Sequence, residues 1–197
     1  MTHSPGARTA VVVGAGLAGL ATAVAAADRG IAVTVLEKGD LAGGAASFSG
    51  GQVWVAANHL EAAQGIQDDL GAAEQYVRAV GASHPELIDD AALARWLTEA
   101  PRAARWFEDA GAVTWEIIPD YPDYHQDAPG SRPTGRYLTA TYDARRLGPW
   151  RDRLRVSPHF PVGTTYADIL GAGLRASAFG ASSASSPPPQ DRLTFGT

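Results

Sequence analysis

Cysteine is absent from all 197 residues. That excludes disulfide frameworks, thiolate nucleophiles and zinc or iron–sulfur sites built on cysteine, and it is compatible with the reducing cytoplasm, where the protein is expected. Clustered positive charge is also missing. Sixteen Lys and Arg against 21 Asp and Glu leave a formal net charge of −5, the wrong sign for a large nucleic-acid footprint, so no nucleic-acid partner is expected. The most apolar stretch, Leu17 to Ala27, stops at Asp28 and Arg29 and is too short to cross a bilayer. Met1 to Arg8 lacks a basic segment followed by an apolar one, so it does not read as a targeting signal. The five histidines, His3, His59, His84, His125 and His159, are scattered, with no helical or zinc-finger pairing, and no metal site is expected. No internal repeat and no Ser-His-Asp arrangement can be read from the order of residues.

What is present begins at Thr9. Thr9 to Val13 is a short β-branched run ending at Gly14, which reads as a buried parallel strand. Leu17 to Arg29 has helical composition, and Gly30 closes it; its alanine content suits a buried crossover helix. Ile31 to Leu36 is a second β-branched run, so strand, helix and strand make a right-handed βαβ unit. Between them lies Gly14-Ala15-Gly16-Leu17-Ala18-Gly19, and Glu37 ends the second strand. Gly14 permits the tight turn, Gly16 lets the backbone approach a pyrophosphate, and Gly19 lets the helix lie against the strand. The free N–H groups at the helix start then face the phosphates. Glu37 can accept hydrogen bonds from the adenosine ribose hydroxyls and repels a 2′-phosphate, which disfavours an NADP adenosine. The bland alternative is a tight turn in a doubly wound sheet, with no ligand.

Lys38 to Gly51 is rich in Gly, Ala and Ser. Gly43-Gly44 and Ser49-Gly50-Gly51 form a second glycine-rich stretch whose amides can wrap a diphosphate and reach toward an isoalloxazine ring, which favours FAD over NAD. A flexible surface loop and an NAD-binding module are the competing readings. Further on, Val53 to Val55 is a brief strand, Gly71 to Val80 is a helix, and Asp90 to Ala110 is read as two helices, with Thr98 capping the second and Pro101 in its first turn. Leu93, Trp96 and Leu97 share an apolar face; Trp96, Trp106 and Phe107 are core candidates. Gly111 stops that stretch, and Val113 to Ile118 is a strand. Pro119 to Pro161 shows no periodicity, and a loop so long is usually functional. Ala176 to Pro189 is low-complexity Ala/Ser followed by three prolines and is expected to be disordered.

With these residues in hand, the chain resembles the FAD-binding flavoproteins grouped with fumarate reductase and 3-ketosteroid Δ1-dehydrogenase, most nearly the ketosteroid branch. Three blocks carry the resemblance. They are Val11 to Glu37; Leu36-Glu37-Lys38 through Gly43-Gly44 to Ser49-Gly50-Gly51, with Trp54 and Asn58 beyond; and Tyr121-Pro122-Asp123-Tyr124, followed by Gly130 and Gly135-Arg136. The resemblance extends from about Thr9 to around Leu170. It implies an α/β, Rossmann-like FAD-binding domain over residues 9–175, with a helical and loop insert from about residue 60, a short extension at 1–8 and a tail at 176–197. It also implies an FAD-dependent dehydrogenase acting on a small-molecule, steroid-like or related enone-forming substrate. The cofactor residues it implies are Gly14, Ala15, Gly16, Ala18, Gly19, Glu37, Lys38, Gly44, Ala45, Ser49, Gly50 and Gly51.

Two departures from the family pattern stand out. The family usually places a hydroxyl or amide residue directly after the Gly-Gly pair, where this chain has Ala45 and Ala46. Family members also continue well beyond this length, adding a substrate domain and a return segment. The chain is therefore expected to be an N-terminal portion, truncated or one half of a split protein, inactive alone and served by a complementary C-terminal chain; a non-catalytic FAD-binding remnant is the alternative. Apolar surface on the sheet is then expected to be exposed. By the same resemblance Tyr124 matches a tyrosine lining the catalytic pocket, although a tyrosine titrates near 10 and needs stabilising neighbours to act as a base. A structural tyrosine is the competing reading. His125 can assist proton transfer or be a surface histidine, Asp123 can make an Asx turn, and Arg145 and Arg146 can meet an acidic substrate or form a solvated face.

Overall fold

The computed structural model describes residues 8–140, 142–157 and 192–193. Among these, 8–50, 143–157 and 192–193 form one compact unit, and 51–140 with 142 form the other. The expectation of a low-complexity tail lies almost wholly outside the described residues.

In the first unit, β1 (Thr9–Val13) and β2 (Ala32–Leu36) pair in parallel, with Val13 opposite Leu36, and α1 (Leu17–Asp28) crosses between them. Gly30 leaves the helix at φ 72° and bonds back to Ala27 O at 2.9 Å, the glycine stop the sequence predicts. The expected burial does not hold. Both strands alternate between exposed and half-buried, Val13 is 83% exposed and Val11 64%, and no side chain of α1 is buried. A parallel sheet needs cover on both faces, and two strands with one helix do not provide it among the described residues. The expected exposure of apolar sheet surface is what the structure has.

The second unit is built round a three-stranded antiparallel sheet in the order β3 (Val53–Trp54), β5 (Tyr137–Ala140), β4 (Trp115–Ile117). Leu138 of β5 lies opposite both Val53 and Ile117 and is fully buried. It packs with Val55, Ala104, Trp115 and Ile117 into one apolar cluster. Ala56, Ala73, Leu93 and Leu97 make a second cluster, against which Trp54, Val77 and Ile88 rest. Asn58 opens α2 (His59–Ala63) with a capping box, Asp69 caps α3 (Leu70–Val80), and Asp89 caps α4 (Asp90–Asp109), each side-chain oxygen satisfying amides the helix leaves free.

Residues 90–109 form one helix, not two. The Thr98 hydroxyl donates to Ala94 O at 2.8 Å instead of capping, and Leu93, Leu97 and Ala104 bury a continuous face on both sides of Pro101. Residues 119–161 contain β5, whose four side chains are all buried; a central strand covered on both faces has no alternation to read. Trp96 is 43% exposed and stacks on Trp54 at 5.4 Å at the edge of the helical cluster. Trp106 and Phe107 are half-buried and meet edge to face.

A buried ionic cluster holds this unit together. Arg136, 1% exposed, donates to Asp68 through Nε at 2.8 Å and Nη2 at 2.7 Å, and to Asp123 through Nη1 at 2.8 Å. Arg132 adds a further bond to Asp68 at 3.1 Å. Burial alone raises the Asp68 carboxyl, but the two guanidiniums override it and hold it below its ordinary range. Glu61 lies beside this cluster with the opposite outcome. Its Oε2 accepts from Asn58 N at 2.8 Å, while its buried Oε1 has no partner among the described residues. Burial pushes this carboxyl up to about 7, and the nearby Asp68 charge adds to the effect. The charges agree: Asp68, Asp123, Arg132 and Arg136 already balance, so an ionised Glu61 leaves one negative charge in excess.

A carboxyl whose folded value lies above its unfolded one binds its proton more tightly when folded. It therefore favours the native state at low pH, and that favour is lost as pH rises from about 4.5 through about 7. Glu61→Gln keeps the capping box and removes the titration. In urea unfolding it should match the parent near pH 4 and exceed it by at most about 3 kcal/mol at pH 8; an equal or lower stability at pH 8 would refute the assignment.

Candidate functional site

The turn from β1 into α1 is shaped by what glycine lacks. Gly14 sits at φ 99° and donates to Leu36 O at 2.6 Å, joining the turn to the end of β2. A Cβ on Gly19 would lie 1.9 Å from Gly14 O, so only glycine lets the first turn of α1 come this close. Gly16 stands at the N-cap of α1 with no side-chain capping bond, which leaves the first amides of the helix available to an anion. Gly43 N donates to Ala15 O at 2.8 Å, Gly43 bridges Gly16, and a Cβ on Gly44 would meet Gly16 Cα at 3.0 Å. The second glycine stretch is thereby laid backbone to backbone against the first.

Glu37 ties these pieces together. Its Oε2 accepts from Ala15 N at 2.6 Å and its Oε1 from Gly39 N at 2.8 Å. The Gly39 amide first and the Ala15 amide second hold this exposed carboxyl below its ordinary range, so it is an anion at neutral pH. Two oxygens with lone pairs to spare, fixed by backbone, are suited to accept from a pair of vicinal hydroxyls.

Of the residues the sequence singled out, Gly14, Ala15, Gly16, Gly19, Glu37 and Gly44 are brought together at this turn. Ala18 is exposed on the first turn of α1, and Lys38 is exposed directly after Glu37. Ala45 lies in a 3-10 turn, Gly44–Phe48, which Ser49 ends by donating its backbone N–H to Ala46 O at 3.1 Å. Gly50 follows it in the first unit; Gly51 is buried at φ 80° in the second. Ala45 and Ala46 carry no hydroxyl, but Ser47 does, and its Oγ donates to Gly44 O at 2.8 Å.

The third block serves two ends. Asp123 makes no mere Asx turn: it is 1% exposed and accepts from Trp54 Nε1 at 2.6 Å, Arg132 N at 2.9 Å and Arg136 at 2.8 Å. Its neighbour Tyr124 is 65% exposed, with its ring stacked on Tyr137 at 5.3 Å and edge-on to Tyr121 at 6.3 Å. Burial first, and the neighbouring Tyr124 second, drive the Tyr137 hydroxyl well above its ordinary value, so it stays protonated. His125 is exposed, and its backbone N–H donates to the Tyr76 hydroxyl at 3.2 Å. Arg145 pairs with Asp143 at 2.8 Å on the surface. The described residues contain no helix long and apolar enough to cross a membrane.

Comparison with known proteins adds a framework to this geometry. The family model described as FAD binding domain matches residues 9–181. A 4-oxocyclohexanecarboxylate 2-dehydrogenase of Sinomonas cyclohexanicum is 39% identical over 169 residues, 84% of this chain and 29% of that protein. A 3-oxosteroid 1-dehydrogenase of Mycobacterium tuberculosis is 33% identical over 139 residues, 70% of this chain and 24% of that protein. Among solved structures, a 3-ketosteroid Δ1-dehydrogenase from Sterolibacterium denitrificans, in complex with 1,4-androstadiene-3,17-dione, superposes with a TM-score of 0.77. The identity there is 25%, over 94% of this chain and 36% of that one. The chain thus spans less than a third of the length of these curated relatives.

The contact at Gly19 makes a specific prediction. Gly19→Ala forces α1 off the turn and should weaken FAD binding at least tenfold with a loss of about 1–3 kcal/mol in stability. Gly30→Ala has open space but a left-handed φ, so it should cost about 1 kcal/mol and leave binding intact. Fluorescence titration with FAD and urea unfolding separate the two; equal effects on binding would refute the role of Gly19.

Proposed function

Because this chain belongs to the FAD binding domain family, we propose that it carries the FAD-binding part of a flavoprotein dehydrogenase that desaturates a cyclic ketone beside its carbonyl. FAD is the cofactor of the family, which removes the competing NAD-binding reading. The substrate class is taken from the names of the relatives, a 4-oxocyclohexanecarboxylate and a 3-oxosteroid dehydrogenase, which share an oxidised ring ketone. The observation that carries the reading is the backbone-lined cradle at the start of α1, with Glu37 pinned to Ala15 N at 2.6 Å beside it.

The residues present fit a flavin dinucleotide. The uncapped amides of α1 would hold the pyrophosphate, with Gly14, Gly16 and Gly19 keeping side chains out of its path. Glu37 would accept from the ribose hydroxyls. Lys38, Gly44, Ala45, Ser49 and Gly50 would extend the cradle toward the ring system, mainly through backbone, and Ala15 and Ala18 would line its start. Bound flavin accepts the hydride in reactions of this kind. Tyr124 is assigned to the substrate side, where an exposed phenol stacked on a protonated Tyr137 would offer a hydrogen-bond donor to a carbonyl oxygen.

Recombinant chain should bind FAD with a flavin absorbance spectrum and quenched fluorescence. Glu37→Ala removes charge-assisted bonds to the ribose, so its FAD affinity should fall roughly 10- to 100-fold, with riboflavin binding unchanged. Failure of the parent chain to bind FAD, or tighter binding of NAD, would overturn the reading.

The exposed Val11, Val13 and Leu36 support a second element of the proposal. That face is the seat of further polypeptide, as part of the same protein or as a separate chain. The 197-residue chain alone should then self-associate in sedimentation velocity. A monodisperse monomer that unfolds cooperatively would speak against it.

A further inference from the structure

Arg155 was not singled out by any motif, yet it lies on the rim of the cradle. Ala42, next to Gly43, is held on both sides by the segment 153–155: its N–H donates to Arg153 O at 2.9 Å, and its carbonyl accepts from Arg155 N at 2.9 Å. This ladder places the Arg155 Cβ 3.6 Å from the point where a Cβ on Gly43 would stand. The side chain then runs along the glycine loop. Its Nη2 lies 3.9 Å from the Cβ position of Gly39, and Glu37 Oε1 lies 3.4 Å from the same point. Guanidinium and ribose-directed carboxylate thus flank one glycine, with no side chain at that residue to separate them.

The guanidinium is exposed and rests over the Phe48 ring at 5.9 Å. None of the ion pairs among the described residues uses it. A dinucleotide brings two negative charges on its pyrophosphate to a site that already holds the Glu37 anion. The start of α1 offers only about half a unit of positive charge against them. A planar guanidinium, whose paired donors match phosphate oxygens, is the side chain suited to supply the rest.

We propose that Arg155 is a cofactor-binding residue whose guanidinium holds the adenosine-side phosphate of the FAD pyrophosphate. The proposal rests on the FAD reading above and adds to it a cation that no glycine motif contains. It separates two tasks at adjacent points: Glu37 reads the ribose hydroxyls, and Arg155 offsets that negative charge so the neighbouring phosphate can approach.

Competition against FAD fluorescence with ADP, adenosine and adenosine 2′-phosphate, in the full 197-residue chain, tests it. Arg155→Met should weaken FAD and ADP by about tenfold or more while adenosine changes less than twofold, and Arg155→Lys should recover part of the loss. Circular dichroism of both variants should match the parent. An undiminished ADP affinity overturns the proposal. So does a parallel fall for adenosine, which marks stacking or a structural role, and so does a largest loss for adenosine 2′-phosphate, which puts the guanidinium at the wrong end of the ribose. If the parent chain binds no FAD, the FAD reading itself fails and takes this proposal with it; every other negative result strikes Arg155 alone.

Discussion

The distance between a helix and the turn that launches it sets the architecture of the first unit. With a Cβ at residue 19 standing 1.9 Å from Gly14 O, α1 would have to move outward. The turn amides would then no longer face one point. Because that atom is missing, Gly14 N can reach Leu36 O, Ala15 N can reach the Glu37 carboxylate, and Gly43 can lie along Gly16. Each of these contacts assumes the others. The anion cradle is therefore less a set of binding residues than a packing solution that leaves donors uncovered.

The second unit solves a different problem with charge. Arg136 is buried between Asp68 and Asp123 and lies over the rings of Trp54 and Tyr76 at 5.1 and 5.8 Å, so one cation anchors β3, α3 and the loop before β5. A charge in such a place is tolerable only when its partners are complete. The glycines nearby belong to the same construction: a Cβ on Gly130 would strike Ala72 O at 2.2 Å, and one on Gly135 would strike Glu61 Oε1 at 2.4 Å. The Pro-Asp-Tyr segment thus contains two neighbours with opposite duties. Asp123 is spent on the fold, and Tyr124 lays its exposed ring on Tyr137.

Legibility in the sequence followed the range of the interactions. β1, α1, β2, the positive-φ turn at Gly14 and the close approach at Gly19 all lie within about thirty residues, so local composition and spacing expose them. By contrast, Arg136 meets Asp68 across 68 positions, and nothing near either residue announces the other. β5 was hidden because all four of its side chains are buried, which erases the period-two signal. Pro101 misled because tertiary packing along Leu93, Leu97 and Ala104 outweighs one missing backbone bond. Arg155 has no local signature either, because the loop its segment pins lies far ahead of it in the chain.

That last separation has a consequence in time. β1, α1 and β2 are complete once Leu36 has been synthesised, but Arg153 to Arg155, which pin Ala42, come more than a hundred residues later. At synthesis rates of roughly 5–20 residues per second, the glycine loop waits on the order of ten seconds for its clasp. During that interval the exposed Val11 and Val13 are open to any neighbouring strand. A nascent chain of this design therefore meets its aggregation hazard before it can close on its cofactor, and ribosome spacing and chaperone access become determinants of how much of it matures.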